Sequence, residues 1–295
     1  MKIGYPCINR SIGCTANTTF RLASYSEAIM IEKITNNLNC LKKILEYNVR
    51  HNLLFFRISS DLIPFASHPV CSFAWQDYFR EKFTEIGNFI KAHEIRISMH
   101  PDQFVLINSP NEEIVRKSIL ELKYHCHILN LMNLDNSAKV QIHVGGVYGD
   151  KESAINRFIN NYNILPKLIK SRLVIENDER LYSLKDCLDI SEKTSVPILF
   201  DSFHHSCLNN GENAREAITI VQKTWETDDG ILMVDYSSQE PGEKKGKHAE
   251  HIDIENFKKL IDDTNNLDFD IMLEIKNKEK SALEALKLIN KCSRL

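Results

Sequence analysis

The chain is 295 residues long, with 43% apolar and 26% charged side chains, 37 basic against 40 acidic and a formal net charge of -3. That balance buries a sizeable core and excludes disordered, collagen-like and disulfide-scaffold classes, and no run approaches the ~20 apolar residues of a membrane span. It also lacks the basic surplus that grips phosphate backbones, so composition opposes nucleic acid unless a local basic patch or bound cations reverse the sign.

The segment after Met1 reads as a short apolar strand, and no secretory leader is expected. Cysteines at 7, 14, 40, 71, 126, 187, 207 and 292 form no Cys-x-x-Cys pair, and reduced core thiols in a cytoplasmic protein are expected. Short β-branched runs recur at residues 2–5, 53–58, 95–99, 140–144, 173–176, 197–201, 231–236 and 271–275. Between them lie amphipathic stretches such as Ile34, Leu38, Leu41, Ile44 and Leu45, or Ile114, Ile119, Leu122, Ile128 and Leu131. Asn111 before Glu112 and Glu113 reads as a helix start, as does Ser183 three residues before Asp186. Strands separated by helices demand parallel pairing. Eight units without a Gly-x-Gly-x-x-Gly turn predict one α/β domain over 1–295, a single (β/α)8 TIM barrel rather than a dinucleotide-binding sheet.

In such a barrel the chemistry gathers at the C-terminal ends of the strands. Strands three to eight end in His100, His143, Glu176, Asp201, Asp235 and Glu274, and His68, His204 and His248 follow in nearby loops. Each alone has a structural reading: an ion-paired core acid, a strand-end cap, a satisfied core histidine. As a ring they form a ligand set of imidazoles and carboxylates without thiolates, which fits two or three manganese, zinc or iron ions. Clustered divalent ions suit phosphoester hydrolysis. His51, His93, His125, His127, His205 and His251 are read as helix-surface or loop residues.

Several stretches carry a resemblance: Gly4 to Asn9, His100-Pro101-Asp102-Gln103-Phe104, His143-Val144-Gly145-Gly146, Glu176-Asn177-Asp178, Asp201-x-x-His204, Asp235 to Gln239, and His248. Together they resemble the UV damage endonuclease family over nearly the whole length. The resemblance implies a TIM barrel with up to three divalent ions, typically manganese, acting on damaged double-stranded DNA. Such enzymes nick immediately 5′ of cyclobutane dimers or 6-4 photoproducts, leaving a 3′-hydroxyl and a 5′-phosphate. It implies the nine ligands named above, with Glu176, Glu274, His143 and Asp201 closest to the chemistry. Gln103 and Phe104 would form a wedge in the duplex, although Phe104 could instead pack in the core. Tyr5 and Asn9 would line a lesion pocket, although Tyr5 could be a barrel-layer side chain. Lys244, Lys245 and Lys247, with Arg10, Arg21 and Arg57, are candidates to grip phosphates. One departure stands out: Met233 and Asp235 occupy positions where some members carry a carboxylated lysine and a histidine. Rival readings are an abasic-site enzyme resembling endonuclease IV, a xylose-isomerase-like sugar isomerase and a non-catalytic damage-binding module. A cytoplasmic monomer without an obligate protein partner or membrane attachment is expected.

Overall fold

The computed structural model describes residues 1–292. Eight parallel strands close into a barrel in sequence order: β1 (Ile3–Pro6), β2 (Phe55–Ile58), β3 (Arg96–Met99), β4 (Lys139–His143), β5 (Leu173–Glu176), β6 (Ile198–Asp201), β7 (Met233–Tyr236) and β8 (Asp270–Leu273). This is the (β/α)8 TIM barrel expected, with each strand within two residues of its predicted bounds. The helices form the outer shell. The longest, Glu27–Arg50, turns Met30, Ile34, Leu38, Leu41, Ile44 and Leu45 inward at three- and four-residue spacing. Asn111 caps Glu112–Leu131 by accepting from the amides of Glu113 and Ile114, and Ser183 and Asp186 form a reciprocal capping box. Among the described residues no helix is long and apolar enough to cross a membrane.

Side chains alternate between the barrel interior and the helical shell, so strand register decides what meets inside. Three interior tiers result. The lowest carries Arg96, Lys139 and Asp270. The middle one is an apolar plug of Phe55, Val174, Leu199, Met233 and Met272. Gly4 registers with Phe55 and Met272, and a Cβ there would fall 2.0 Å from the Phe55 carbonyl oxygen, so only glycine allows this approach. The top tier, two residues further along these strands, holds Arg57, Glu176, Asp201, Asp235 and Glu274, with His143 level with Glu176.

Two structural expectations need correction. Cys14 and Cys40 are joined by a disulfide, with Cα atoms 6.0 Å apart. The loop after β1 folds back on the first long helix, a tertiary meeting that cysteine spacing does not announce. Cys7, Cys71, Cys126, Cys187 and Cys207 are free thiols, and the Cys292 side chain lies outside the described residues. His125 and His205 are buried rather than on helix surfaces. His125 lies between the Glu121 carbonyl and the Ser60 hydroxyl, and burial drives its pKa down to about 4.

Candidate metal centre

Register brings the strand ends together. His143 pairs with Glu176 across β4 and β5, and Asp201 pairs with Asp235 across β6 and β7. Three overlapping groups have ligand atoms within 4.8 Å of one another: His100, His143 and Glu176; Glu176, Asp201 and His204; Asp201, Asp235 and Glu274. Glu176 belongs to two of them. Its Oε2 lies 3.5 Å from His100 Nε2 and its Oε1 3.2 Å from His204 Nδ1, which is also 3.3 Å from Asp201 Oδ2. His204 owes this position to a short helix, Ser202–Cys207, whose N-cap is Asp201: the His204 amide donates to Asp201 Oδ1 at 2.7 Å. His248 closes the ring from the β7 loop, its Nδ1 3.0 Å from the Glu274 carbonyl oxygen.

The motif residues beside the ligands brace them. Asn177 donates to the Asp201 carbonyl at 2.9 Å and accepts the Asp201 amide at 3.0 Å, locking β5 to β6. The Asp178 carboxylate accepts the amides of Arg180, Leu181 and Tyr182 and so folds the loop that follows. Gly145, at φ +116, makes room for Asn108: a Cβ would sit 2.4 Å from Asn108 Oδ1.

Crowding acidic groups in a desolvated space has a marked electrostatic effect. Burial, reinforced by Glu176 and Glu274 against the pull of His204, raises the Asp201 pKa to about 8. Burial also raises Asp235 well above the carboxylate range, although Arg57 opposes it. For Glu274 burial acts upward, but Arg57 together with His248 and His100 overcomes it and the pKa falls to about 2. His204 is disfavoured as a cation by burial, yet Asp201 and Glu176 raise it to about 11. His100 goes the other way, to about 4, chiefly through burial. Meanwhile Asp201 Oδ2, Asp235 Oδ1, Gln141 Oε1 and His143 Nδ1 are buried without a hydrogen-bond partner among the described residues. Unpartnered acceptors beside converging carboxylates and imidazoles fit divalent cations.

The comparisons with known proteins agree with this arrangement. A family model described as UV-endonuclease UvdE matches residues 1–295. The chain belongs to this family. It is therefore a DNA endonuclease, a hydrolase. A UV DNA damage endonuclease of Clostridium perfringens (strain 13 / Type A) is 42% identical over 99% of this chain and 72% of its own length. One from Bacillus cereus (strain G9842) is 33% identical over 99% and 95%. The crystal structure of SacUVDE superposes with a TM-score of 0.95 at 49% identity, covering both chains completely. Endonuclease IV from Thermus thermophilus (TM-score 0.60, 14% identity, 99% of this chain and 98% of its own) shares the fold alone.

Around the mouth of this endonuclease, a cavity of about 660 Å³ is lined by Arg57, His100, Gln103, Phe104, His143, His248 and Glu274, among others. Phe104 is 74% exposed, so it does not pack in the core, and Gln103 beside it is exposed as well. His68 stands apart from the three ligand groups. It is exposed, its Nδ1 accepts the Val70 amide at 3.0 Å, and it borders an adjoining cavity of about 600 Å³ with Phe65 and Glu121, on the other side of Asp102 and Phe104.

Tyr5 and Asn9 are buried and do not line the mouth cavity. Tyr5 registers with Phe56, and both face the helical shell, whereas Gly4 and Pro6 face inward. It is fully buried, its hydroxyl donating to Asn48 and accepting from Asn9 at 2.8 Å, and Asn9 is buried with it. Arg57 borders the mouth cavity but is engaged by acids. It is 3% exposed, inside the barrel, and paired with Asp235 and Glu274.

Lys244 and Lys245 are exposed on the loop after β7, which Gln239 ties together through the Gly246 amide and several carbonyls. Lys245 Nζ donates to the Cys207 carbonyl at 2.8 Å, and Lys247 pairs with Glu243 at 2.8 Å. Of the site's own residues, the sequence alone did not single out Gln141, nor the ion pairs of Arg57 with Asp235 and Glu274. The available signal was a polar residue in an apolar strand, two positions before a ligand in the case of Gln141 and His143.

Proposed function

We propose that this endonuclease cuts DNA immediately 5′ to UV photoproducts, both cyclobutane pyrimidine dimers and 6-4 products, by multi-ion hydrolysis that leaves a 3′-hydroxyl and a 5′-phosphate. The cofactor is two or three divalent ions, manganese before zinc or iron, held by ligands drawn from His100, His143, Glu176, Asp201, His204, Asp235, His248 and Glu274, with His68 joining only if its loop closes. Such ions, when bound, supply Lewis acidity and positive charge toward a phosphodiester. The observation that carries this reading is Glu176, one buried carboxylate common to two ligand groups beside an open mouth.

The chain's own residues supply the rest. Gln141 donates to Glu176 and Asp235 at 2.8 Å each and fixes both carboxylates from below. His204 turns Nδ1 toward Glu176 and Asp201, and those carboxylates hold a proton there in the metal-free site, a proton that an ion bound in this group would displace. Glu274 stays anionic because Arg57 faces it. His143 offers Nδ1 without a competing partner. At the rim, the Phe104 ring and Gln103 amide are placed to replace the stacking and pairing that a distorted lesion gives up. Lys244 and Lys245 provide positive charge beside an acidic centre. The reading includes one domain over 1–295 acting as a cytoplasmic monomer, with damaged double-stranded DNA as its partner.

Synthetic duplexes test it. With manganese, a duplex carrying one thymine dimer should be cut at a single bond 5′ of the dimer, and an undamaged duplex should survive. Faster cutting at a lone abasic site than at the dimer would transfer the proposal to an endonuclease-IV-like activity. DNA affinity that does not change with salt would exclude backbone binding altogether.

A further inference from the structure

The four carboxyl groups at the top of the barrel are not equally open to a metal ion, because a guanidinium, a cation that cannot shed its charge, is already among them. Arg57 enters the interior from β2. Its Nη2 donates to Asp235 Oδ2 at 2.5 Å and its Nη1 to Glu274 Oε1. Gln141 Nε2 donates to the same Asp235 oxygen at 2.8 Å. The guanidinium thus engages two of the three members of the Asp201, Asp235 and Glu274 group. The other two groups, His100 with His143 and Glu176, and Glu176 with Asp201 and His204, include neither of the acids that hold it.

A guanidinium keeps its charge at any physiological pH, and its forked donors suit two carboxylates at once. A divalent ion bound to Asp235 and Glu274 would face this like charge in a desolvated space. Displacing Arg57 would leave a buried cation without partners, the more costly outcome. Nothing beneath compensates, since Met233, two residues before Asp235, presents a thioether to the apolar tier.

We infer that Arg57 takes the place of one divalent ion at Asp235 and Glu274, so that the site saturates at two ions, one in each group that contains Glu176. Asp235 is then a positioning residue for Arg57 and not a metal ligand. This rests on the reading that the strand-end ring binds divalent ions, and the two can fail separately.

The test is metal counting on the full chain, stripped with chelator, reloaded with Mn2+ and analysed by elemental mass spectrometry and titration calorimetry. The wild type should hold two ions per chain. Asp235→Asn, which keeps shape and an acceptor for Arg57, should still hold two. Arg57→Gln should take up a third where it folds; a folded Arg57→Gln that stays at two overturns the inference. Should that variant not fold, Asp235→Asn decides. Three ions in the wild type, or one ion lost in Asp235→Asn, overturns the inference while leaving the metal-site reading intact. A wild type that binds no ion sinks the metal-site reading itself, and the inference with it.

Discussion

At the N-terminal end of the barrel Arg96 meets Asp270 at 3.2 Å and Lys139 meets Asp229 at 2.5 Å. The remaining oxygens are satisfied by amides, Asp270 Oδ1 by Lys2 at 2.6 Å and Asp229 Oδ2 by Glu226 at 2.9 Å. At the C-terminal end, across the apolar tier, the four carboxyl groups of Glu176, Asp201, Asp235 and Glu274 face two cationic side chains, Arg57 and His204, and Asp201 Oδ2 and Asp235 Oδ1 accept no hydrogen bond among the described residues. Both ends bury charge, but only the lower one balances it. Matched ions with every carboxylate oxygen occupied make a plug. Unmatched ones make a place that could hold cations.

Substitutions at the two ends should separate these roles. The largest effect is expected for Glu176→Gln: nicking of irradiated plasmid should fall on the order of 1,000-fold or more, about 4 kcal/mol of barrier. Ion content should fall with it while the circular-dichroism spectrum stays native. Retained ion content would show that Glu176 is not a shared ligand. Asp270→Ala at the base should do the reverse. Removing one partner of a buried pair costs about 3–5 kcal/mol, visible as a lower denaturant midpoint, with ion content and activity per folded molecule unchanged. If activity fell and the midpoint did not, the two ends would not be functionally distinct.

A smaller effect is expected at the rim. Phe104→Ala removes an exposed ring worth about 1–3 kcal/mol if it stacks on a base. The preference for damaged over undamaged DNA should then drop roughly 5- to 150-fold, with ion content constant. Unaltered preference would return Phe104 to the bare surface.

The smallest effect concerns pH in the chelator-treated protein. Burial holds a proton on Asp201 up to about pH 8, against an ordinary value of 3.8, while Asp201 and Glu176 outweigh burial to hold one on His204 up to about 11. Both folded values lie above the unfolded ones. Their contribution to stability is complete below the unfolded pKa and is lost as pH rises through the folded one. The melting temperature of the metal-free protein should therefore decline from pH 6.5 to 8, a window where both act. The manganese-loaded protein should decline less, since ions replace those protons. Parallel slopes would place the titrating groups outside the ion site.

The barrel and its ligand ring were legible in the sequence because both follow from one-dimensional periodicity. Apolar runs fix the strands, and a strand's last residue marks the mouth, which is how Leu173-Val174-Ile175-Glu176 could be read. What stayed illegible is what tertiary register decides. Tyr5 and Arg57 are each the third residue of a four-residue strand, and only the pairing of Tyr5 with Phe56 and Pro6 with Arg57 shows which faces the interior. The Cys14–Cys40 link depends on a loop folding back, which no local pattern encodes. Phe104 followed by Val105-Leu106-Ile107 reads equally well as core or wedge, and solvent exposure separates the two.

Anomalous diffraction at the manganese edge, from crystals grown with Mn2+, bears most directly on the claim that the unbalanced end of the barrel is a metal centre. Two peaks flanking Glu176 are predicted, one toward His100 and His143 and one toward Asp201 and His204. Peaks confined to the His68 cavity, or no peak at the strand ends at saturating Mn2+, would contradict it.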